Sequence, residues 1–245
     1  MKMNIKKKII SKLQSMLFKI RLAVSGKLGM PVQTSLERRM YRTILDGYIG
    51  CDKKLNVFEW GSGLSTVYYA KYLKKNNIDV EWDAVDNNKM WHHRVLQMLK
   101  SNNLDNQVTA HLREFPPFWE KEGWGEIPPP RGVFCPKLEA ELEYVNMPNI
   151  LNKKFDIIFV DARFRRHCIE VVKQVLAPNG IIVMHDAQKP HYHVGLEEFS
   201  NRKFYKGGAW FPLQDLPNQV WVGSMDNTQV FENLKSFEGG DDGKV

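Results

Sequence analysis

The run Phe58-Glu59-Trp60-Gly61-Ser62-Gly63 sets two glycines directly after a short apolar segment, with a carboxylate just ahead of them. Gly61 and Gly63 let backbone approach a nucleotide-like cofactor closely, above a helix N-terminus; the same pair also fits an ordinary tight strand-to-helix turn. Position 66, where a dinucleotide fingerprint carries its third glycine, is Thr66, which counts against NAD or FAD. Glu59 can face a cationic ammonium group, which a pyrophosphate would not welcome. Asp86 closes the next apolar run, placed either to accept hydrogen bonds from both ribose hydroxyls or to cap the helix that follows.

Further along, Asp161 and the pair His185-Asp186 each close an apolar run. Two acids at adjacent strand ends can hold a divalent ion, Mg²⁺ or Mn²⁺, that acidifies a bound hydroxyl. Water, His191 or His193 would then complete the shell. A metal-free site with His185 as general base serves the same chemistry, and both acids also fit loop-capping roles. Arg163, Arg165 and Arg166 follow Asp161 so closely that at least one should face the crevice. Arg163 and Arg165 there suit a carboxylate or phosphate on an acceptor, although two of the three arginines also read as surface charges on a first helical turn. Phe118, Trp119, Trp124 and Trp210 offer an aromatic platform for a sugar face, or fill core.

These residues need a frame that brings strand ends together. Residues 55–59, 80–85, 107–112, 155–160 and 181–184 read as strands, and the continuous apolar run Phe155 to Val160 is that of a central parallel strand buried on both faces. Helices are expected over 35–48, capped by Thr34 or Ser35, over 65–75, 89–100 and 164–176, and around 194–200. Two closing strands, 203–211 and 219–222, have no helix between them and suggest an antiparallel edge. The alternation predicts a doubly wound, Rossmann-like α/β fold with a mostly parallel sheet, right-handed crossovers and ligands beyond the carboxyl ends of the strands. The domain spans 31–237 with an irregular insertion at about 113–150, and a disordered tail is expected over 238–245.

Composition narrows the class. The chain has 245 residues, of which 43% are hydrophobic and 26% charged, which excludes wholesale disorder and a polytopic membrane protein. Its three scattered cysteines exclude a disulfide scaffold and fit a reducing, cytoplasmic compartment. The formal charge of +7 is unevenly placed: residues 1–30 carry eight basic residues and no acid, so the remainder is close to neutral. A body-wide nucleic-acid surface therefore loses its main support. In this arm Ile5, Ile9, Leu13, Met16, Leu17, Ile20 and Val24 recur at helical spacing among lysines. It reads as an amphipathic helix lying on an anionic cytoplasmic leaflet, or as one packing on the body or another subunit. Charges interrupt it too often for a secretory signal or a transmembrane span.

The order F-E-W-G-S-G, A-V-D-N-N, F-D-I-I-F-V-D-A and A-P-N-G-I-I-V-M-H-D resembles the class I S-adenosylmethionine-dependent methyltransferases over roughly residues 50–225. The resemblance implies a seven-stranded sheet whose last strand is antiparallel. It implies that Glu59, Gly61 and Gly63 hold the methionine end of S-adenosylmethionine, that Asp86 holds its ribose, and that the adenine lies near His111 or Leu112. The pattern V-D-A then H-D is similar to catechol-type and some sugar O-methyltransferases, which place metal ligands there. That pattern continues Asp-Asn, whereas Ala187 follows Asp186 here. The D/N-P-P-Y/F signature of amino-group methylation is replaced by V-D-A-R, which disfavours nitrogen methylation of nucleic acid. Methyl transfer to a hydroxyl of a glycan, glycan precursor or other small polar acceptor is the expected function, with Asp161, His185 and Asp186 catalytic. The alternatives are a non-catalytic binding or scaffold protein on this fold, and a nucleotide-sugar or NAD enzyme on a related sheet.

Overall fold

The computed structural model describes residues 23–115, 139–208 and 218–238, together with Met16, Leu17 and Ile20. Residues 1–15 of the arm, the four aromatic platform candidates, most of the 113–150 insertion and the tail beyond 238 lie outside the described residues. Among those described, no helix is long and apolar enough to cross a membrane.

Helix α1 (Ser35–Asp46) opens on a capping box: Thr34 accepts from the Glu37 amide while the Glu37 carboxylate accepts from the Thr34 amide. Strand β1 (Leu55–Trp60) leads through the glycine turn into α2 (Leu64–Lys75), then β2 (Val80–Asp86), α3 (Lys89–Ser101) and β3 (Val108–Leu112). Short helices α4 (Glu139–Val145) and α5 (Met147–Ile150) precede β4 (Phe155–Val160), α6 (Arg165–Val175), β5 (Leu176–Met184), β6 (Asn201–Gly208), β7 (Asn218–Ser224) and α7 (Gln229–Asn233). Every residue of β4 is buried, as its unbroken apolar run requires at the centre of a two-faced sheet.

The seven strands lie in the order β3-β2-β1-β4-β5-β7-β6. The first five in that order run parallel, and β7 pairs antiparallel with both β5 and β6. The antiparallel strand is therefore inserted beside β5 rather than standing at the edge, which β6 occupies. One apolar layer, with Met40, Leu73 and Leu99, covers one face of the sheet; a second, with Tyr144, Ile169 and Val172, covers the other.

Three local expectations change. Around residues 194–200 only a single 3-10 turn forms, Leu196–Glu198, because Gly195 at φ +86° turns the chain out of the right-handed helical path. Strand β5 starts at Leu176 and its pairing with β4 jumps past Ala177 to Gly180, the Pro-Asn-Gly segment, where Asn179 sits at φ +60°. The insertion ends in helix: Tyr144, Val145 and Met147 are buried, and the indole of Trp60 donates to the Tyr144 carbonyl at 3.0 Å.

Candidate active site

Gly61 leaves β1 with φ +93°, and its amide donates to the Val85 carbonyl at 2.8 Å. A Cβ at this position would lie 2.3 Å from the Asp161 carbonyl oxygen, so only glycine lets the loop after β1 pass under the loop after β4. Gly63 is different: its backbone is extended, and a Cβ would meet the Trp91 ring at an ordinary 3.6 Å. Thr66, in place of a third glycine, accepts from the Gly63 amide at 2.8 Å and closes the first turn of α2.

Glu59 is buried beneath this turn. Its two carboxylate oxygens accept from the hydroxyls of Ser65 at 2.8 Å and Thr66 at 2.6 Å. Burial pushes its pKa up to about 8 against the pull of those hydroxyls. It braces the turn from below and is not among the residues that line the adjoining cavity.

That cavity, of about 250 Å³, is lined by the Gly61–Ser65 turn, Asp86, Trp91 and Asp161, and by Pro31, Val32 and Gln33 from the segment ahead of α1. Asp86 lies at the end of β2, with a carboxylate that accepts from the Asn88 amide at 2.7 Å and a pKa raised by burial to about 6. The N-cap of α3 is Asn88, which accepts from the Trp91 amide at 2.9 Å. Asp86 is thereby left to face the cavity. Trp91 donates its indole N–H to the Ser62 carbonyl at 2.7 Å and walls the cavity beside Gly63. The chain thus supplies an acid for a ribose, a flat aromatic wall and an open backbone turn, a fit for a nucleoside-bearing donor; the Ser62 hydroxyl is buried there without a partner. His111 pairs with Asp83 at 2.8 Å, and neither it nor Leu112 lines the cavity.

Beside the cavity the ends of β4 and β5 bring four ionisable groups together, and α1 adds a fifth. His185 is buried, with Nδ1 3.3 Å from Asp161 Oδ1 and 3.6 Å from Asp186 Oδ1, and Nε2 3.2 Å from Glu37 Oε1. Burial by itself disfavours the charged ring. The carboxylates of Asp161, Asp186 and Glu37 outweigh it and hold the His185 pKa well above the usual histidine range. Both ring nitrogens face carboxylates inside the fold, so His185 is placed to link them rather than to reach an acceptor. Asp161 is held well below the usual carboxylate range: burial opposes ionisation, but His185 and Arg165 overcome it.

Arg165 stands where an acceptor contact was expected and is turned inward instead. Its Nε donates to the Ala162 carbonyl at 3.1 Å, Nη1 to the His185 carbonyl at 2.6 Å and Nη2 to Asp161 Oδ1 at 2.9 Å, with Asp186 Oδ2 at 3.6 Å. Two left-handed residues aim this cluster: Phe164 at φ +56° caps α6, and Asp186 at φ +54° ends β5. Arg163 is half-buried within the electrostatic reach of Tyr144, Tyr192 and Asp86, and burial lowers its pKa. Arg166 pairs with Glu170 at 3.7 Å on the helix. His193 contacts the Ala187 carbonyl at 2.7 Å and His191 packs on Tyr192.

The donor atoms of Asp161, His185 and Asp186 lie within 4.8 Å of one another, close enough to surround a cation. Their charge is already answered. A buried guanidinium bridges the two acids, and both nitrogens of the histidine face carboxylates. The residues present do not fit a divalent ion.

Glu37 and Trp91 had not been singled out in the sequence. The T-S-L-E capping box was the one available signal for Glu37, and it points to a helix start rather than to a site.

The family model described as a methyltransferase domain matches residues 58–187, more than half of the chain. No curated protein sequence matches. Among solved structures, the chain is similar to the O-methyltransferase TomG from Streptomyces achromogenes, in complex with SAM, at 11% identity and a TM-score of 0.53, covering 86% of this chain and 90% of that one. It is similar to cofactor-bound Rv0187 from MTB at 13% identity and 0.53, with the same coverage of both chains. An O-methyltransferase from Bacillus cereus, in complex with SAH, gives 13% identity and 0.50 over 85% of this chain and 90% of that one. At these identities the likeness is one of fold.

Proposed function

Taking as premise that this chain belongs to the methyltransferase-domain family, and is a class I S-adenosylmethionine-dependent enzyme, we propose that it methylates a hydroxyl of a glycan, glycan precursor or other small polar acceptor. One observation carries the reading: Asp161 both lines the donor cavity and belongs to the acid cluster at the ends of β4 and β5. A group that touches both regions is where a donor methyl and an acceptor oxygen must meet.

The donor, when bound, supplies an electrophilic sulfonium methyl. Gly61 and Gly63 give its amino-acid end open backbone, Asp86 offers acceptors to its ribose, and Trp91 walls the nucleoside side. Asp161 would orient the acceptor hydroxyl in line with the methyl and favour the positive charge that builds on its oxygen; the methyl passes from sulfur to oxygen, and the hydroxyl proton is released to solvent. Asp186 shares that field, and His185, fixed between Glu37 and the two acids, holds both carboxylates in place. Arg163, which feels Asp86 at the cavity wall, suits an anionic group on the acceptor. The near-neutral body supports a small acceptor over a nucleic acid.

The arm supports action at an anionic membrane surface on the cytoplasmic side. Met16, Leu17, Ile20, Val24 and Leu28 are 39–66% exposed, so this stripe is not covered by the body, and lysines flank it in sequence. A lipid-linked glycan is then the natural acceptor.

Calorimetry with S-adenosylmethionine, followed by S-adenosylhomocysteine release on adding hydroxyl-rich glycans, tests the reading. Saturable donor binding with acceptor-dependent release supports it. Donor binding without turnover on any acceptor would favour a binding protein, and no donor binding up to about millimolar concentration, the weak end of specific affinities, would end the enzymatic reading.

A further inference from the structure

The acid pair at the ends of β4 and β5 raises a question that donor binding does not answer: what balances it. Asp161 and Asp186 follow the ends of adjacent parallel strands, and Glu37 enters from α1 with a side chain fully shielded from solvent. Glu37 is buried and the two aspartates are about one-third exposed, and three carboxylates this close together call for positive charge between them.

Arg165 is built into this position. It is only 8% exposed, and all three of its nitrogens are engaged by groups of the two strand-end loops. The face of Tyr192 lies 5.2 Å from its guanidinium carbon and closes the remaining side. Arg165 is also the first residue of α6, where the helix dipole disfavours a cation. A residue that breaks a local preference, and is held by the groups around it, marks a functional demand. Its Nη2 reaches both acids, Asp161 Oδ1 at 2.9 Å and Asp186 Oδ2 at 3.6 Å, and so stands between the two loops. On the opposite side, His185 Nε2 faces Glu37 and Nδ1 faces the acids, so the histidine is held as a link between carboxylates.

We infer that Arg165 is the resident cation of this site, occupying the bridging place between Asp161 and Asp186 that a divalent ion would need, and that the acceptor hydroxyl is handled without a metal. Arg165 is in this sense a positioning residue: it fixes the two carboxylates and contacts neither donor nor acceptor. The inference rests on the methyltransferase reading for its place in catalysis, but not for its binding prediction.

Titration of the full chain with Mn²⁺, following the signal of free Mn²⁺ by electron paramagnetic resonance, tests it directly. Wild-type protein should bind no Mn²⁺ at the cluster below about 1 mM, the weak end of carboxylate sites. Arg165→Met, which leaves the acids uncompensated, should take up one Mn²⁺ per chain at least ~10-fold more tightly, and adding Asp161→Asn should remove that site. Micromolar binding of one Mn²⁺ to the wild type, lost in Asp161→Asn, overturns the inference, as does a folded Arg165→Met chain that binds no better than wild type. If Arg165→Met does not fold by circular dichroism, the wild-type titration decides, with Arg165→Lys, which keeps the charge, expected to match it. Calorimetry with S-adenosylhomocysteine on the same samples separates the two ideas. Absent binding there removes the methyltransferase reading and leaves the Mn²⁺ result standing.

Discussion

Glu37 Oε1 lies 3.2 Å from His185 Nε2 and ties the first helix of the domain to the end of strand β5. The same carboxylate accepts from the Thr34 amide at 2.6 Å and from the Asn218 side chain at 3.4 Å, so one buried acid joins α1, β5 and β7. Removing it leaves His185 and the Thr34 amide without that partner. Glu37→Ala should therefore cost about 3 kcal/mol in urea denaturation, the scale of breaking a buried pair. Glu37→Gln, which can still accept from the Thr34 amide, should cost roughly half as much. Equal stability of Glu37→Ala and wild type would show that this acid is not structural.

Asp161 faces the cavity and the cluster together, and its substitution should separate binding from chemistry. Asp161→Asn keeps the shape of the cavity wall but removes the negative charge that faces the reacting oxygen. Turnover should fall by about 10²-fold or more, the usual contribution of a positioned electrostatic group, while donor affinity measured by calorimetry changes by no more than about 3-fold. Surviving turnover would remove Asp161 from the catalytic step and leave Asp186 as the next candidate.

The two glycines of the turn should behave unlike each other. Gly61→Ala places a methyl 2.3 Å from the Asp161 carbonyl on a left-handed backbone, so the loops after β1 and β4 must separate. A loss of at least ~3 kcal/mol, read as a fall in thermal midpoint or as insolubility, is expected. Gly63→Ala meets only the Trp91 ring at 3.6 Å with an extended backbone, and should fold within ~1 kcal/mol of wild type. A fully stable Gly61→Ala protein would mean that the loops are not stacked in this way.

The strands themselves were legible because apolar runs such as Phe155 to Val160 have one good destination in a two-faced sheet, whereas their order across the sheet was not. The strand-end acids Asp86, Asp161 and Asp186 were legible for the same reason, since the strand that carries each was. Side-chain direction was not. Arg165 turns inward because Phe164 adopts a left-handed cap, which no spacing rule announces in a phenylalanine. Glu37 reads locally as a helix-capping residue, and only the approach of α1 to β7 and β5 makes it part of the site. Trp91 looked like any aromatic on a helix until its indole met the Ser62 carbonyl.

Asp86 should show a conflict between stability and binding that pH exposes. Its pKa is raised from 3.8 to about 6 by burial, so the folded chain holds this proton more tightly than the unfolded one. Its contribution to stability is full below about pH 4 and is lost as pH rises through about 6. Asp86→Asn can still accept from the Asn88 amide and carries no charge to desolvate. It should be more stable than wild type above pH 6, by on the order of 1–3 kcal/mol, and equal to it near pH 4. The same variant should bind donor at least ~10-fold more weakly, because an amide oxygen is a poorer acceptor for two ribose hydroxyls. Urea melts at pH 4 and pH 7.5, with calorimetry at the higher pH, check both halves. A stability gain that persists at pH 4 would assign the effect to packing instead.

The arm's exposed stripe and its cations make a prediction that does not depend on catalysis. Each cation close to an anionic surface contributes about 1 kcal/mol, and the apolar stripe adds burial in the headgroup layer. Full-length protein should therefore sediment with vesicles rich in phosphatidylserine and not with neutral vesicles. Binding should weaken severalfold between 50 and about 300 mM salt as the charges are screened. Deleting residues 1–28 removes all eight basic residues of the arm together with Met16, Leu17, Ile20, Val24 and Leu28, and should abolish sedimentation while leaving the donor cavity, which begins at Pro31, able to bind. Unchanged vesicle binding by the truncated chain would remove the membrane from the account. A full-length protein that ignores vesicles but loses a self-association on truncation would assign the stripe to a second copy of the chain.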